Sequence, residues 1–332
     1  MSEITFNKTI QSIHKEIQGK LRKTNTIIDN YLMSDISVIP QLGQYFFKQR
    51  GKQLRPVLCL LSSKMINKDY SQLKTDIYMS AAIEFIHAAT LLHDDVIDKG
   101  TIRRGQKSIN EIWNNKFSVL LGDFMFSKSF QLMTKANSLK AMEHLSEVSS
   151  KISEGEFLQL SNEKNINLKS IEYVKIISLK TAELFGAAFM VPAILKGKKS
   201  QTVNNLYKLG INFGIIFQIT DDILDYFGNS QTGKEIGKDF IEGKVTLPII
   251  LLFEKVSKNN QLKLKKIFMK KTRNQKDFIF TMNLLERFEI KKYCLKYTKK
   301  FQKKSEIILK DFNNKQSKLL EELMINSIER QN

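Results

Sequence analysis

Apolar residues recur at helical spacing in nearly every window of this chain, and that pattern restricts it to an all-α fold. Ile10, Ile13, Ile17 and Leu21 show it near the start, and Ile290, Tyr293, Cys294 and Tyr297 near the end. Four prolines and 15 glycines leave little material for the turns of a strand-rich protein. The spacing predicts helices over 3–33, 37–50, 54–67, 72–98, 117–136, 138–162, 169–195, 200–228, 245–257, 259–271, 275–287 and 289–325. Short polar connections join them, no low-complexity linker divides them, and one helical domain over 1–332 fits best.

Several classes are disfavoured. The charged N-terminal stretch has no apolar core and does not read as a secretory signal. The longest apolar run, Ala182 to Leu195, is interrupted by Glu183 and Pro192 and is too short to span a membrane. Cys59 and Cys294 lack metal-ligand spacing and read as buried free thiols in a reducing cytoplasm. The formal charge of +19 reads mainly as a solvated lysine surface, denser at Lys196–Lys199, Lys263–Lys271 and Lys299–Lys304. Peripheral attraction to anionic lipid or anionic substrates is the alternative, and no motif points to nucleic acid.

Two acidic clusters stand out: Asp94-Asp95-Val96-Ile97-Asp98 and Asp221-Asp222-Ile223-Leu224-Asp225, each on an otherwise apolar helix. Carboxylates are expensive to bury, and as bare surface charges they would repel one another. A hard divalent cation such as Mg²⁺, bridging to phosphate oxygens, accounts for both clusters. His87 lies two turns before Asp94 on the same face, and Arg103-Arg104-Gly105 follows, suited to a diphosphate. Gln218, Asp221 and Asp225 share a face of the second helix, with Lys234 and Lys244 beyond. Lys180-Thr181 interrupts an apolar helix, and Arg50-Gly51-Lys52-Gln53-Leu54-Arg55-Pro56 opens another; read alone, both are ordinary basic surface.

Taken together these segments resemble the trans-isoprenyl diphosphate synthases. Glu84 to Asp98 with Arg103-Arg104-Gly105 is similar to the family's first aspartate-rich region. Phe217 to Tyr226, followed by Gly233-Lys234, Gly237-Lys238-Asp239 and Gly243-Lys244, is similar to the second. The motifs run in order from about residue 50 to 250. The resemblance implies an all-helical bundle around a deep central cavity, usually as a homodimer. It implies head-to-tail addition of isopentenyl diphosphate to an allylic diphosphate such as farnesyl diphosphate. Mg²⁺ would be held by Asp94, Asp98 and Asp221 with Asp95, Asp222 and Asp225 in the clusters, helped by Arg103, Lys180, Lys234 and Lys244. Lys52, Arg55, His87 and Arg104 would bind isopentenyl diphosphate, and Thr181 and Gln218 would flank the reacting carbon. Arg50 and Gln53 depart from the family's glycine and basic residue.

Within the family the pattern is most like the bacterial octaprenyl-forming branch, which serves quinone side chains. Ala89 and Thr90, one turn beneath Asp94, are small and would let a chain grow past them. Phe126 and Phe130 are candidates for a deeper floor, or ordinary core aromatics. A terpene cyclase is disfavoured by the second acidic cluster, and a non-catalytic subunit by the presence of both. A shorter-chain synthase is the remaining alternative.

Overall fold

A computed structural model of the chain describes residues 2–67, 69–72, 74–228 and 236–330. In chain order the first helices are α1 Ser2–Tyr31, α2 Val38–Lys48, α3 Leu54–Ile66 and α4 Thr75–Ile97. A hairpin of β1 Ile102–Arg103 and β2 Gln106–Lys107 precedes α5 Ile109–Ile112, α6 Asn115–Lys135, α7 Leu139–Ser161 and α8 Ser170–Ile177. One π-helical turn, Ser178–Ala182, leads into α9 Glu183–Leu195 and α10 Ser200–Phe227. The C-terminal part holds α11 Lys238–Glu242, α12 Leu247–Lys255, α13 Lys258–Phe268, α14 Gln275–Arg287, α15 Ile290–Leu309 and α16 Lys315–Glu329. The all-α expectation is met, and the long central helices agree with the predicted ranges to within a few residues.

Composition explains which helices are central. α3, α4, α9 and α10 are apolar over most of their circumference and are mostly buried, as all-round hydrophobic helices must be. α4 packs on α6, and α10 lies between α9 and α15. Glycine sets the closest approach: a Cβ at Gly210 would stand 2.4 Å from the Phe185 carbonyl oxygen, and one at Gly155 2.5 Å from the Lys180 nitrogen. Neither gap accepts a methyl group, so α10 seats on α9 and α7 on the π turn only with glycine there. Cys59 and Cys294 are free and buried, as expected. No helix among the described residues is long and apolar enough to cross a membrane.

Three local features escape the apolar periodicity. Arg104 and Gly105 both adopt positive φ, 53° and 77°, which a two-residue hairpin turn requires and which joins β1 to β2. The predicted helix 169–195 contains the π turn. The predicted helix 289–325 is two helices, α15 and α16, broken after Leu309. Asn314 makes the break: its side chain accepts from the Ser317 N–H at 2.9 Å, and the Ser317 hydroxyl accepts from the Asn314 N–H at 3.0 Å. Its amide also donates to the Met65 carbonyl at 2.9 Å, and α16 turns back along α1. Asn314→Ala removes the cap and this tie and is expected to cost about 1–2 kcal/mol. Urea unfolding checks it: the midpoint falls while the slope is unchanged.

Candidate active site

A cavity of about 850 Å³ opens where α3, α4, α7, α10, the hairpin and the π turn converge. His87, Thr90, Leu91 and Asp94 line it from α4, at the i, i+3, i+4, i+7 spacing of one helical face. Gln218 and Asp221 line it from α10, Lys180 and Thr181 from the π turn, and Arg103 and Arg104 from the hairpin. Lys52 and Arg55 complete the polar part. Residues predicted from five separate segments therefore meet in one space. Lys234 lies outside the described residues.

Within each acidic cluster the carboxylates divide by direction. Asp94 and Asp221 face the cavity, Asp98 receives Lys244 at 3.2 Å, and Asp225 accepts the Asp239 N–H at 3.1 Å. Asp95 does not line the cavity: it is buried and held by both Nε (3.1 Å) and Nη2 of Arg103. Asp222 is also turned inward, accepting from Tyr173 at 2.6 Å and from Gln218 at 2.7 Å. The physical reason is the helix itself, since the residue after a cavity-facing acid is rotated about 100° away.

Burial dominates the electrostatics. It pushes the Asp94 carboxyl up to about 6 against the opposing pull of Lys180, and Glu156 and Asp98 add to the rise. It pushes Asp225 up to about 7, with Asp239 adding to the effect, and raises Asp222 further. Cations supplied by the fold offset part of this. Lys180 lies 3.8 Å from Asp94 and also pairs with Glu156. Burial alone would lower Lys244, but Asp98 and Glu242 more than offset it and raise its pKa. Thr181 donates to the Gln218 oxygen at 3.0 Å, and the Gln218 nitrogen donates to Asp222, so a Thr181–Gln218–Asp222–Tyr173 chain fixes the amide's direction.

The basic side of the cavity rests on buried groups. Arg55 lies 3.0 Å from His87 Nε2 and 4.3 Å from the Phe185 ring centroid, and burial lowers it to about 10. Burial, reinforced by Arg55, keeps His87 well below its ordinary value, so the imidazole is neutral and Nε2 accepts. Among the described residues the Nε–H of Arg55 has no hydrogen-bond partner, an uncommon state for a buried guanidinium. An anion in the cavity would satisfy it. Arg104 donates to the Gln49 carbonyl at 2.7 Å.

The sequence reading missed two polar residues and corrects on a third point. Arg330 lines the cavity, donates to Asp221 at 2.7 Å and lies over the rings of Phe217 and Phe6. Nothing in its local sequence signals this; it arrives because α16 folds back. Glu156, the partner of Lys180, carries only the weak signal of an acid following Gly155. Phe126 and Phe130 do not line the cavity: they pack edge to face at 5.0 Å, and Phe130 is 38% exposed. The apolar lining on that side is Ile152, Phe157 and Leu160 of α7. Ala89 is buried behind Thr90 rather than in the wall.

Acids and cations around one end of an apolar-walled cavity suit a ligand with a polyanionic head and an apolar tail. Comparison with known proteins agrees: the polyprenyl synthetase family model matches residues 36–285, and the chain belongs to that family and is a prenyltransferase. It is 38% identical to the octaprenyl diphosphate synthase of Escherichia coli over 242 residues, 73% of this chain and 74% of that protein. It is 36% identical to the geranylgeranyl pyrophosphate synthase of Geoglobus acetivorans, over 64% of this chain and 67% of that one. The crystal structure of a Caulobacter crescentus polyprenyl synthase, complexed with calcium and isoprenyl diphosphate, superposes with a TM-score of 0.92. That pair is 34% identical over 97% of this chain and 98% of the other.

Glu84 offers a test of the buried base under the arginines. It faces Arg104, Arg55 and Arg50, yet burial pushes it from 4.5 up to about 7. Between those values the native carboxyl holds a proton that the unfolded chain has released, so stability falls as pH rises through that window. Glu84→Gln lacks the slope. Urea midpoints at about pH 5 and about pH 8 should show the parent losing ground to the variant at the higher pH.

Proposed function

We propose that this prenyltransferase is a long-chain trans-polyprenyl diphosphate synthase with an octaprenyl-type product. It adds isopentenyl diphosphate head to tail to an allylic diphosphate, with farnesyl diphosphate the expected primer. The observation that carries the long-chain reading is the small Thr90 step one turn beneath Asp94, opening towards the apolar side of α7. A geranylgeranyl-forming enzyme is the second reading, favoured by the identity to the Geoglobus relative.

The residues present fit Mg²⁺. Asp94, Asp221, Asp98 and Asp225 are oxygen donors, and for Asp94 and Asp225 the desolvation is only partly offset by nearby groups, a deficit a hard divalent ion would fill. Among the described residues no three His, Cys, Asp or Glu side chains are grouped so as to hold a metal ion by themselves, so the diphosphate would have to share in holding it. Such an ion would complete its shell with diphosphate oxygens and water. When bound, it supplies charge to the departing diphosphate.

The chain's own groups do the rest. Lys180, Lys244 and Arg330 bring positive charge to the allylic diphosphate as its C–O bond breaks and an allylic cation forms. Arg55, Arg104, Lys52 and neutral His87 anchor the second diphosphate so that the isopentenyl double bond faces that cation. The Gln218 amide and Thr181 hydroxyl, fixed by their hydrogen bonds, present oriented dipoles beside the reacting carbon. After the new C–C bond forms, a proton leaves to the released diphosphate, and no protein nucleophile is used. The apolar wall excludes water, which would otherwise quench the cation. A second copy of the chain is expected to cover the exposed Leu120 and Leu139 of α6 and α7.

Asp94→Ala and Asp221→Ala should each abolish turnover with the far-ultraviolet circular dichroism unchanged, and chelation of divalent cations should do the same to the parent. Incubation with Mg²⁺, labelled isopentenyl diphosphate and farnesyl diphosphate, followed by chromatography, reads product length; geranylgeranyl product alone would exclude the long-chain reading. Arg330→Ala removes a charged hydrogen bond in the cavity and should lower kcat/KM by about 10- to 100-fold without unfolding the chain. Steady-state kinetics with each substrate varied in turn measures it.

A further inference from the structure

Charge is distributed unevenly over this molecule. Residues 255–310 carry 16 lysines, two arginines and four acids, a net +14 out of the +19 of the whole chain. The lysine surface, already denser in sequence at 263–271 and 299–304, is therefore concentrated on α13 to α15. On α15, Lys292, Lys296, Lys299, Lys300, Lys303 and Lys304 are all exposed and follow i, i+4, i+7, i+8, i+11, i+12. They form one stripe along a 20-residue helix, about 30 Å long. Like charges at i, i+4 destabilise a helix, and four such pairs occur here. Among the described residues only Lys292 of the six has an ion-pair partner, Glu289. Lys296 and Lys304 lie over the rings of Tyr293 and Phe301 on the same helix, contacts that leave the mutual repulsion of the stripe in place.

Apolar side chains accompany them. Leu262 (60% exposed) and Met269 (66% exposed) lie seven residues apart on the outer face of α13, among the exposed Lys258, Lys265 and Lys266. Ile279 of neighbouring α14 is half exposed. The ammonium of Lys263 sits 3.8 Å from the Phe280 ring centroid, joining α13 to α14, and that of Lys255 sits 3.6 Å from Tyr293, joining α12 to α15.

We infer that the outer face of α13–α15 docks the protein on an anionic lipid bilayer, its lysines on the headgroups and Leu262, Met269 and Ile279 at the acyl boundary. Lysines suit this partner, since they bind as point charges and their stems lie along apolar surface. A nucleic-acid surface would favour arginine forks and open aromatic faces, whereas here arginines are two against 16 lysines and the Phe280 and Tyr293 rings are capped.

Co-sedimentation of the full chain with vesicles tests the inference, and because it reads binding alone it does not depend on product length. The chain should pellet with phosphatidylcholine–phosphatidylglycerol vesicles, not with phosphatidylcholine vesicles, and salt should release it. Replacing the six stripe lysines of α15 by glutamine should lower vesicle partitioning by more than about tenfold while turnover and circular dichroism stay as in the parent. A control with Lys8, Lys15, Lys23, Lys48, Lys116 and Lys140 replaced by glutamine should keep most of the binding. Equal loss in both variants, undiminished binding by the stripe variant, or preferential capture of RNA or an acidic polypeptide over the anionic vesicles would overturn it.

Discussion

Desolvated carboxylates held against cations from distant parts of the chain are the interaction on which this site depends. Asp94 of α4 meets Lys180 of the π turn, Asp98 meets Lys244 beyond α11, and Asp221 of α10 meets Arg330 after α16. Each pair joins elements far apart in sequence, so closing the cavity and balancing its charge are one event. The balance is incomplete, as the raised Asp94 and Asp225 carboxyls show. A site left short of positive charge is ready to receive a divalent ion together with a polyanion, and the fold's own cations can then turn to phosphate oxygens.

Backbone irregularity places several of these groups. The π turn sits in the helical stretch that would otherwise continue unbroken into α9, and its residues Lys180 and Thr181 reach the cavity. The hairpin turn at Arg104-Gly105 separates two adjacent arginines. Arg103 is committed to Asp95, and Arg104 reaches back to the Gln49 carbonyl beside the start of α3. Gly155 allows α7 to lie against the π turn, bringing Glu156 to Lys180. Several of the site's cations thus sit where helical regularity is interrupted, while the cavity-facing acids Asp94 and Asp221 and the wall residues Thr90, Leu91 and Ile152 stand on regular helices.

Much of the fold was legible because its signal is local. The period of apolar residues on α4 and α10 marks both as buried helices, and an acid on such a helix is conspicuous wherever it occurs. His87, Asp94, Gln218 and Asp221 follow from helical spacing alone. Asp95 and Asp222 belong to the acidic clusters in sequence, but they stand off the shared face and turn to Arg103 and Tyr173. The hairpin, the π turn and the Asn314 break escaped because each occupies fewer residues than a helical period needs to declare itself.

The sequence by itself determined an all-helical chain, two acidic clusters in apolar surroundings and a set of basic segments suited to diphosphate. It could do so because helix periodicity and the cost of burying acids are properties of short stretches. Only the tertiary structure decided that Asp95 turns to Arg103 and Asp222 to Tyr173, that α7 rather than Phe126 and Phe130 supplies the apolar wall, and that Arg330 closes on Asp221. It also decided that six lysines of α15 stand exposed in one stripe. Those outcomes depend on how helices rotate and fold back on one another, and no single segment of the chain encodes that.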